Sequence, residues 1–91
     1  MIASFRHKGL KELFEAGRSA KVPPALKQRC SDRLEFMDAA NELKDLNLPG
    51  FNLHSLHTRP IRHSIHVNGP WCITFEWVAP NALKVDLEQY H

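Results

Sequence analysis

His54 and His57 sit on one short strand-like stretch, His63 and His66 on the next, and the chain closes on Tyr90-His91. An imidazole takes or gives a proton near neutral pH. Scission of RNA without a metal needs a group that removes the 2′-hydroxyl proton, a second that protonates the departing 5′ oxygen, and positive charge around the phosphate. Histidines on neighbouring strands with a terminal imidazole form a sufficient set. The α-carboxylate of His91 lies beside its own ring and favours the protonated form, which inclines His91 towards the acid role. The plainer alternative is a last residue that frays and has no task.

The same histidines are poorly spaced for zinc. Residues three apart on a strand point to opposite faces, so neither His54/His57 nor His63/His66 converges on one ion. No metal and no cofactor is expected. Cys30 and Cys72 are the two cysteines, one on a predicted helix and one on a predicted strand, and with no secretion signal both are expected as free thiols.

The elements that must position these groups follow from periodicity. Ile2 to Phe5 reads as a short strand; Leu10, Leu13 and Phe14 then recur at helical spacing, with Gly17 as the cap. After a loop from Arg18 to Val22, Pro23-Pro24 opens a second helix whose stripe Leu26, Cys30, Leu34 and Met37 is core rather than a cofactor box. A further helical turn over Asn41 to Leu46 ends at Asn47-Leu48-Pro49-Gly50, where the strand half begins. Phe51 to His57 reads as the first strand of that half. Arg62 to Asn68 and Trp71 to Val78 form a hairpin turning at Asn68-Gly69, with Pro70 favouring a longer loop. After a turn at Pro80-Asn81, the alternation of Leu83, Val85 and Leu87 predicts a last strand.

Strand parity assigns faces. Trp71, Ile73, Phe75 and Trp77 share the side expected to meet the helices, so Cys72, Thr74 and Glu76 point the other way, with Ser64 and His66 beside them. His66 and Cys72 are expected as neighbours across the hairpin, with Cys72 outward. His54 and His57 are expected on opposite faces unless the chain turns near Thr58.

With 43% hydrophobic and 24% charged residues, the 91-residue chain reads as one small globular domain over residues 1–91. It contains no membrane-length apolar run and no signal peptide, which points to the cytoplasm. The net charge is +2 and the pI near 8.7. Arg6, Lys8, Lys11, Arg18, Lys21, Lys27, Arg29 and Arg33 crowd the first third, whereas Asp45, Glu76, Asp86 and Glu88 come later. The basic helical part is either a nucleic-acid footprint or a solvated surface.

Several stretches together carry a family resemblance. They are Met1-Ile2-Ala3-Ser4-Phe5-Arg6-His7-Lys8-Gly9-Leu10, Leu13-Phe14-Glu15, Leu46-Asn47-Leu48-Pro49-Gly50, Leu53-His54, Ser64-Ile65, Trp71, Ile73-Thr74-Phe75 and Tyr90-His91. From first residue to last the chain resembles the HigB toxins of the RelE/ParE superfamily. The resemblance implies an α+β, RelE-like domain with two N-terminal helices on a twisted, mostly antiparallel sheet. It also implies a type II toxin that enters the ribosome and cleaves messenger RNA, held inactive by a HigA-like antitoxin with a helix-turn-helix DNA-binding domain. DNA is then touched only through the antitoxin, and no membrane is involved. His54, Tyr90 and His91 carry over as catalytic residues, with Tyr90 stacking on a base, bonding the phosphate, or simply anchoring the tail. Lys8, Lys11 and Lys27 are implied contacts to ribosomal RNA.

Three positions depart from the family pattern. Cys72 stands where an arginine commonly binds the scissile phosphate, His57 where a lysine is common, and Gln89 where an aspartate is common; the loop after His57 is about one residue short. A thiol is a weak donor and a thiolate has the wrong sign, so losing the arginine is expected to weaken cleavage by ~10² to 10³. Arg59, Arg62, His57 and His66 could restore phosphate-binding charge around Cys72; otherwise Arg59 and Arg62 are solvated loop charges. Two other functions compete with the nuclease: a degenerate toxin that only binds antitoxin, and a ParE-like inhibitor of gyrase, which needs no acid and base.

Overall fold

The computed structural model describes residues 1–90. Two α-helices, α1 (Lys8–Ala16) and α2 (Lys27–Ala39), precede four strands, β1 (His54–Ser55), β2 (His63–Asn68), β3 (Trp71–Val78) and β4 (Asn81–Gln89). The strands form an antiparallel sheet in the order β1-β2-β3-β4, so the fold class is α+β.

Local chemistry sets the helix limits. His7 caps α1: its Nδ1 accepts the Leu10 N–H at 3.1 Å, satisfying one of the orphan donors of the first turn. Gly17 ends the helix in the left-handed region at φ 77°, its N–H bonded to the Leu13 carbonyl. A 3₁₀ turn at Pro24–Leu26 leads into α2, as the proline pair requires. A second 3₁₀ turn, Leu43–Leu46, is closed by a reciprocal capping box between Glu42 and Asp45.

Leu10 and Leu13 from α1, Cys30, Leu34 and Met37 from α2, and Ile65, Val67, Ile73, Phe75, Val85 and Leu87 from the sheet form one buried cluster. Each fully buried side chain of this size contributes roughly 1.5–3 kcal/mol. Cys30 belongs to that core, and burial pushes its thiol up to about 11. Both cysteines are free, as expected.

Several sequence expectations are revised. Ile2 and Phe5 make only isolated parallel bridges to Ala82 and Val85, so the first segment flanks β4 without becoming a strand. The predicted strand Phe51 to His57 shrinks to His54–Ser55, because Asn52 adopts a left-handed φ of 47° and the chain bends from His57 onward. His57 therefore lies in a loop, and strand parity does not govern it. In β4 a bulge centred on Lys84, at φ 49°, shifts the alternation. Ala82 joins Val85 and Leu87 in the core, while Leu83 pairs with Glu76 on the opposite face. A second bulge between His66 and Asn68 lengthens the hairpin next to Pro70.

Part of the basic helical surface proves structural. Arg33 Nε donates to the His66 carbonyl at 2.6 Å with its guanidinium 4.6 Å from the Phe51 ring centre, and Arg29 Nη1 donates to the Val67 carbonyl at 3.1 Å. These two cations tie α2 to β2 and are not freely solvated.

Candidate active site

The sheet face turned away from the helices is built in rows. The first is His54, Ser64, Thr74 and Asp86, each paired with the next across four strands; the second is His66, Cys72 and Glu88. His66 and Cys72 are thus neighbours, as parity predicted. Cys72 is not outward in the sense of exposed, however. It is 9% accessible, and Ser64 and Thr74 are fully buried on the same face.

Arg62 is the reason this face is closed. The Arg62 N–H donates to Thr58 Oγ1 at 2.8 Å, which folds the loop before β2 and sends the guanidinium beneath it. Nη2 donates to Thr74 Oγ1 at 3.0 Å and to the Lys84 carbonyl at 2.8 Å, and Nη1 lies 3.5 Å from Glu76 Oε2. That carbonyl is presented by the bulge in β4. Arg62 is 6% accessible, so its reading as a solvated loop charge is overturned. From Thr74 the network continues: the hydroxyl donates to Glu88 Oε2, which also accepts the Tyr90 hydroxyl at 3.2 Å.

A profile of RelE-like toxins of type II HigB toxin–antitoxin systems matches residues 3–91. The chain belongs to the HigB-like toxin family. It is similar to the endoribonuclease HigB of Proteus vulgaris, with 42% identity over 92 aligned residues covering the full length of both proteins.

In this HigB-like toxin the expected site residues are distributed unevenly. His54 is exposed, and its Nδ1 is 2.8 Å from the Asn52 carbonyl. A carbonyl only accepts, so Nδ1 carries the hydrogen and a neutral His54 presents the lone pair of Nε2 outward. Tyr90 follows β4, its N–H donating to the Pro70 carbonyl at 2.7 Å, and the residue is 43% accessible. Burial, then the adjacent Glu88 charge and hydrogen bond, raise its pKa above that of an ordinary phenol. His54 and Tyr90 approach the polar face from opposite edges of the sheet, and Tyr90 also lies four residues further along the chain than Asp86, the β4 residue in register with His54. His91 lies outside the described residues.

The toxin's phosphate-binding candidates separate likewise. His57 and Arg59 are exposed in the loop after β1, and Arg59 Nη1 reaches only the adjacent Thr58 carbonyl. His66 is half-buried, with Nε2 3.0 Å from the Gly69 carbonyl. Lys8, Lys11 and Lys27 belong to the helical layer, on the far side of the sheet from this face. A cavity of about 370 Å³ lies between the N-terminal segment and α1, lined by Ile2, Phe5, Lys11 and Phe14, away from the histidines. No three His, Cys, Asp or Glu side chains among the described residues come together as a metal site.

Residues the sequence reading missed are Thr74, Glu76 and Glu88 as partners of Arg62 and Tyr90. The parity that put Thr74 and Glu76 beside Cys72 was available; the reach of Arg62 across two strands was not. His63 sits on the helix side against Phe75, rings 5.7 Å apart, and burial lowers its pKa.

Proposed function

We propose that this toxin is a metal-independent endoribonuclease of a single RelE-like domain, residues 1–91, that cuts messenger RNA on the translating ribosome. The observation that carries the reading is the full-length similarity to an endoribonuclease HigB, joined to a face that bears both His54 and the Tyr90 hydroxyl. His54 Nε2 is the base that takes the 2′-hydroxyl proton, and His91 is the acid that protonates the 5′ oxygen, leaving a 2′,3′-cyclic phosphate. Tyr90 contacts the substrate. Positive charge comes from Arg59, His57 and His66 at the rim and from Arg62 beneath, around the position of Cys72. The exposed Lys8 and Lys11, with Lys27, meet ribosomal RNA. A HigA-like antitoxin with a helix-turn-helix domain restrains the toxin in the cytoplasm and makes whatever contact there is with DNA.

A toxin that binds its antitoxin without cutting is the second reading. Two observations favour it: Cys72 supplies no cation, and Arg62 is drawn towards Glu76. Mapping cuts in ribosome-bound messages separates the two. The chain without appended residues is expected to cut, His91→Ala to lose cleavage, and Cys72→Arg to raise it, by up to ~10². Antitoxin binding with no cleavage by any of the three would establish the second reading instead.

A further inference from the structure

Tyr90 has one hydroxyl proton, and the structure commits it to Glu88. The same carboxylate oxygen accepts the Thr74 hydroxyl, whose oxygen in turn accepts from Arg62 Nη2 at 3.0 Å. A fully buried threonine and a nearly buried arginine thus stand behind a tyrosine that is 43% accessible as a residue. The chain of contacts joins the loop before β2, the middle of β3 and the end of β4, with the Tyr90 backbone held separately at Pro70. A hydroxyl held in this way is poorly placed to bond a phosphate oxygen, and the Glu88 charge beside it repels one. Its ring, by contrast, is held at one end and open to solvent.

We propose that Arg62, Thr74 and Glu88 are positioning residues that grip Tyr90 by its hydroxyl, so that the ring, rather than the hydroxyl, meets the RNA as a stacking platform for one base. The proposal rests on the nuclease reading for its consequence in catalysis and on contacts within the chain for the grip itself. Stacking suits a substrate whose bases are unpaired, since every base offers a π-face. Arg62 has a second task in the same network. Its charge offsets Glu88 across Thr74, and that carboxylate would otherwise stand uncompensated at the mouth of an anion-binding face.

Tyr90 is the single tyrosine of the chain, so its ionisation can be followed by absorbance in the intact protein without RNA. The charged or ionisable groups that act on its phenol are Glu88, Arg62 and Cys72. Glu88→Gln is expected to lower the Tyr90 midpoint, because a repelling carboxylate is removed. Arg62→Met is expected to raise it further, because an attracting cation is removed. A tail merely loosened by either change would move both midpoints down towards that of a free phenol. Arg62→Lys, which keeps the cation, guards against misfolding of the methionine variant and is expected to stay near the parent.

Cleavage of ribosome-bound message supplies the second readout. Tyr90→Phe and Glu88→Gln retain the ring and are expected to lose less kcat/KM than Tyr90→Ala. Tyr90→Ala removes the platform and is expected to lose roughly 5- to 150-fold in kcat/KM. Tyr90→Phe as damaging as Tyr90→Ala would overturn the stacking role, and a Tyr90 midpoint unmoved by Glu88→Gln would overturn the grip. A parent chain that cuts nothing overturns the nuclease reading and the stacking role with it, while the midpoints still decide the grip.

Discussion

The two faces of the sheet are held by different physics. On the helix side, Ile65, Val67, Ile73, Phe75, Val85 and Leu87 meet the leucines of α1 and α2 in one apolar cluster, and any hydrophobic residue of about the right volume would serve at many of these positions. On the other side the buried residues are Arg62, Thr74 and Ser64, and Arg62 and Thr74 are tied to the carboxylates of Glu76 and Glu88. Among the described residues two buried atoms of this face, Arg62 Nε and Ser64 Oγ, have no partner. The helix face is tolerant and stabilising. The polar face depends instead on a charged network whose contacts are fixed one by one.

Three measurements sharpen or break this contrast, in descending size. Phe75→Ala opens the apolar side at a fully buried ring and is expected to lower unfolding free energy by about 3–5 kcal/mol, read from urea unfolding. A loss below about 1 kcal/mol would mean that the helix face is not where stability resides. Ser64→Ala, on the opposite side, removes an unpaired buried hydroxyl at almost no change in volume. Stability should be unchanged or rise by up to about 1 kcal/mol. A clear loss would show that Ser64 does have a partner in solution.

The smallest effect is one of pH. Burial lowers the His63 pKa from its ordinary 6.5, so the unfolded chain binds a proton more readily than the folded one. The neutral ring's contribution is complete above pH 6.5 and is lost as the pH falls below it, towards the folded value. Unfolding measured at pH 8, 6 and 5 should therefore show a decline that His63→Phe flattens. An equal decline in that variant would assign it to other groups.

Legibility in the sequence followed the same division. Both helices, the α2 stripe, the hairpin turn and the inward set Trp71, Ile73, Phe75 and Trp77 were readable, since each depends on a period or a turn residue within a few positions. The family was readable from motifs spread over the chain, and the profile match over residues 3–91 bears that out. The β4 phase failed because a single bulge at Lys84 reverses which face Leu83 meets, and nothing in Leu83-Lys84-Val85 announces it. Cys72 was placed on the right face with the wrong exposure. Parity tells direction, whereas burial depends on what another segment lays over that direction.

The order of types along the chain determined by itself that helices precede strands, which residues of α1, α2, β2 and β3 form the apolar core, and that His54 and Tyr90 are candidates for RNA chemistry. Those properties are local or additive: hydrophobic periodicity, turn preference, and the proton affinity of a ring. Only the tertiary structure decided that Arg62 is buried, that Thr74 and Glu88 connect it to Tyr90, and that Arg29 and Arg33 tie a helix to a strand. Apart from the Tyr90–Glu88 contact, these hydrogen bonds join residues 12 to 38 positions apart, so their partners are set by strand register and loop path, which no short stretch of sequence encodes.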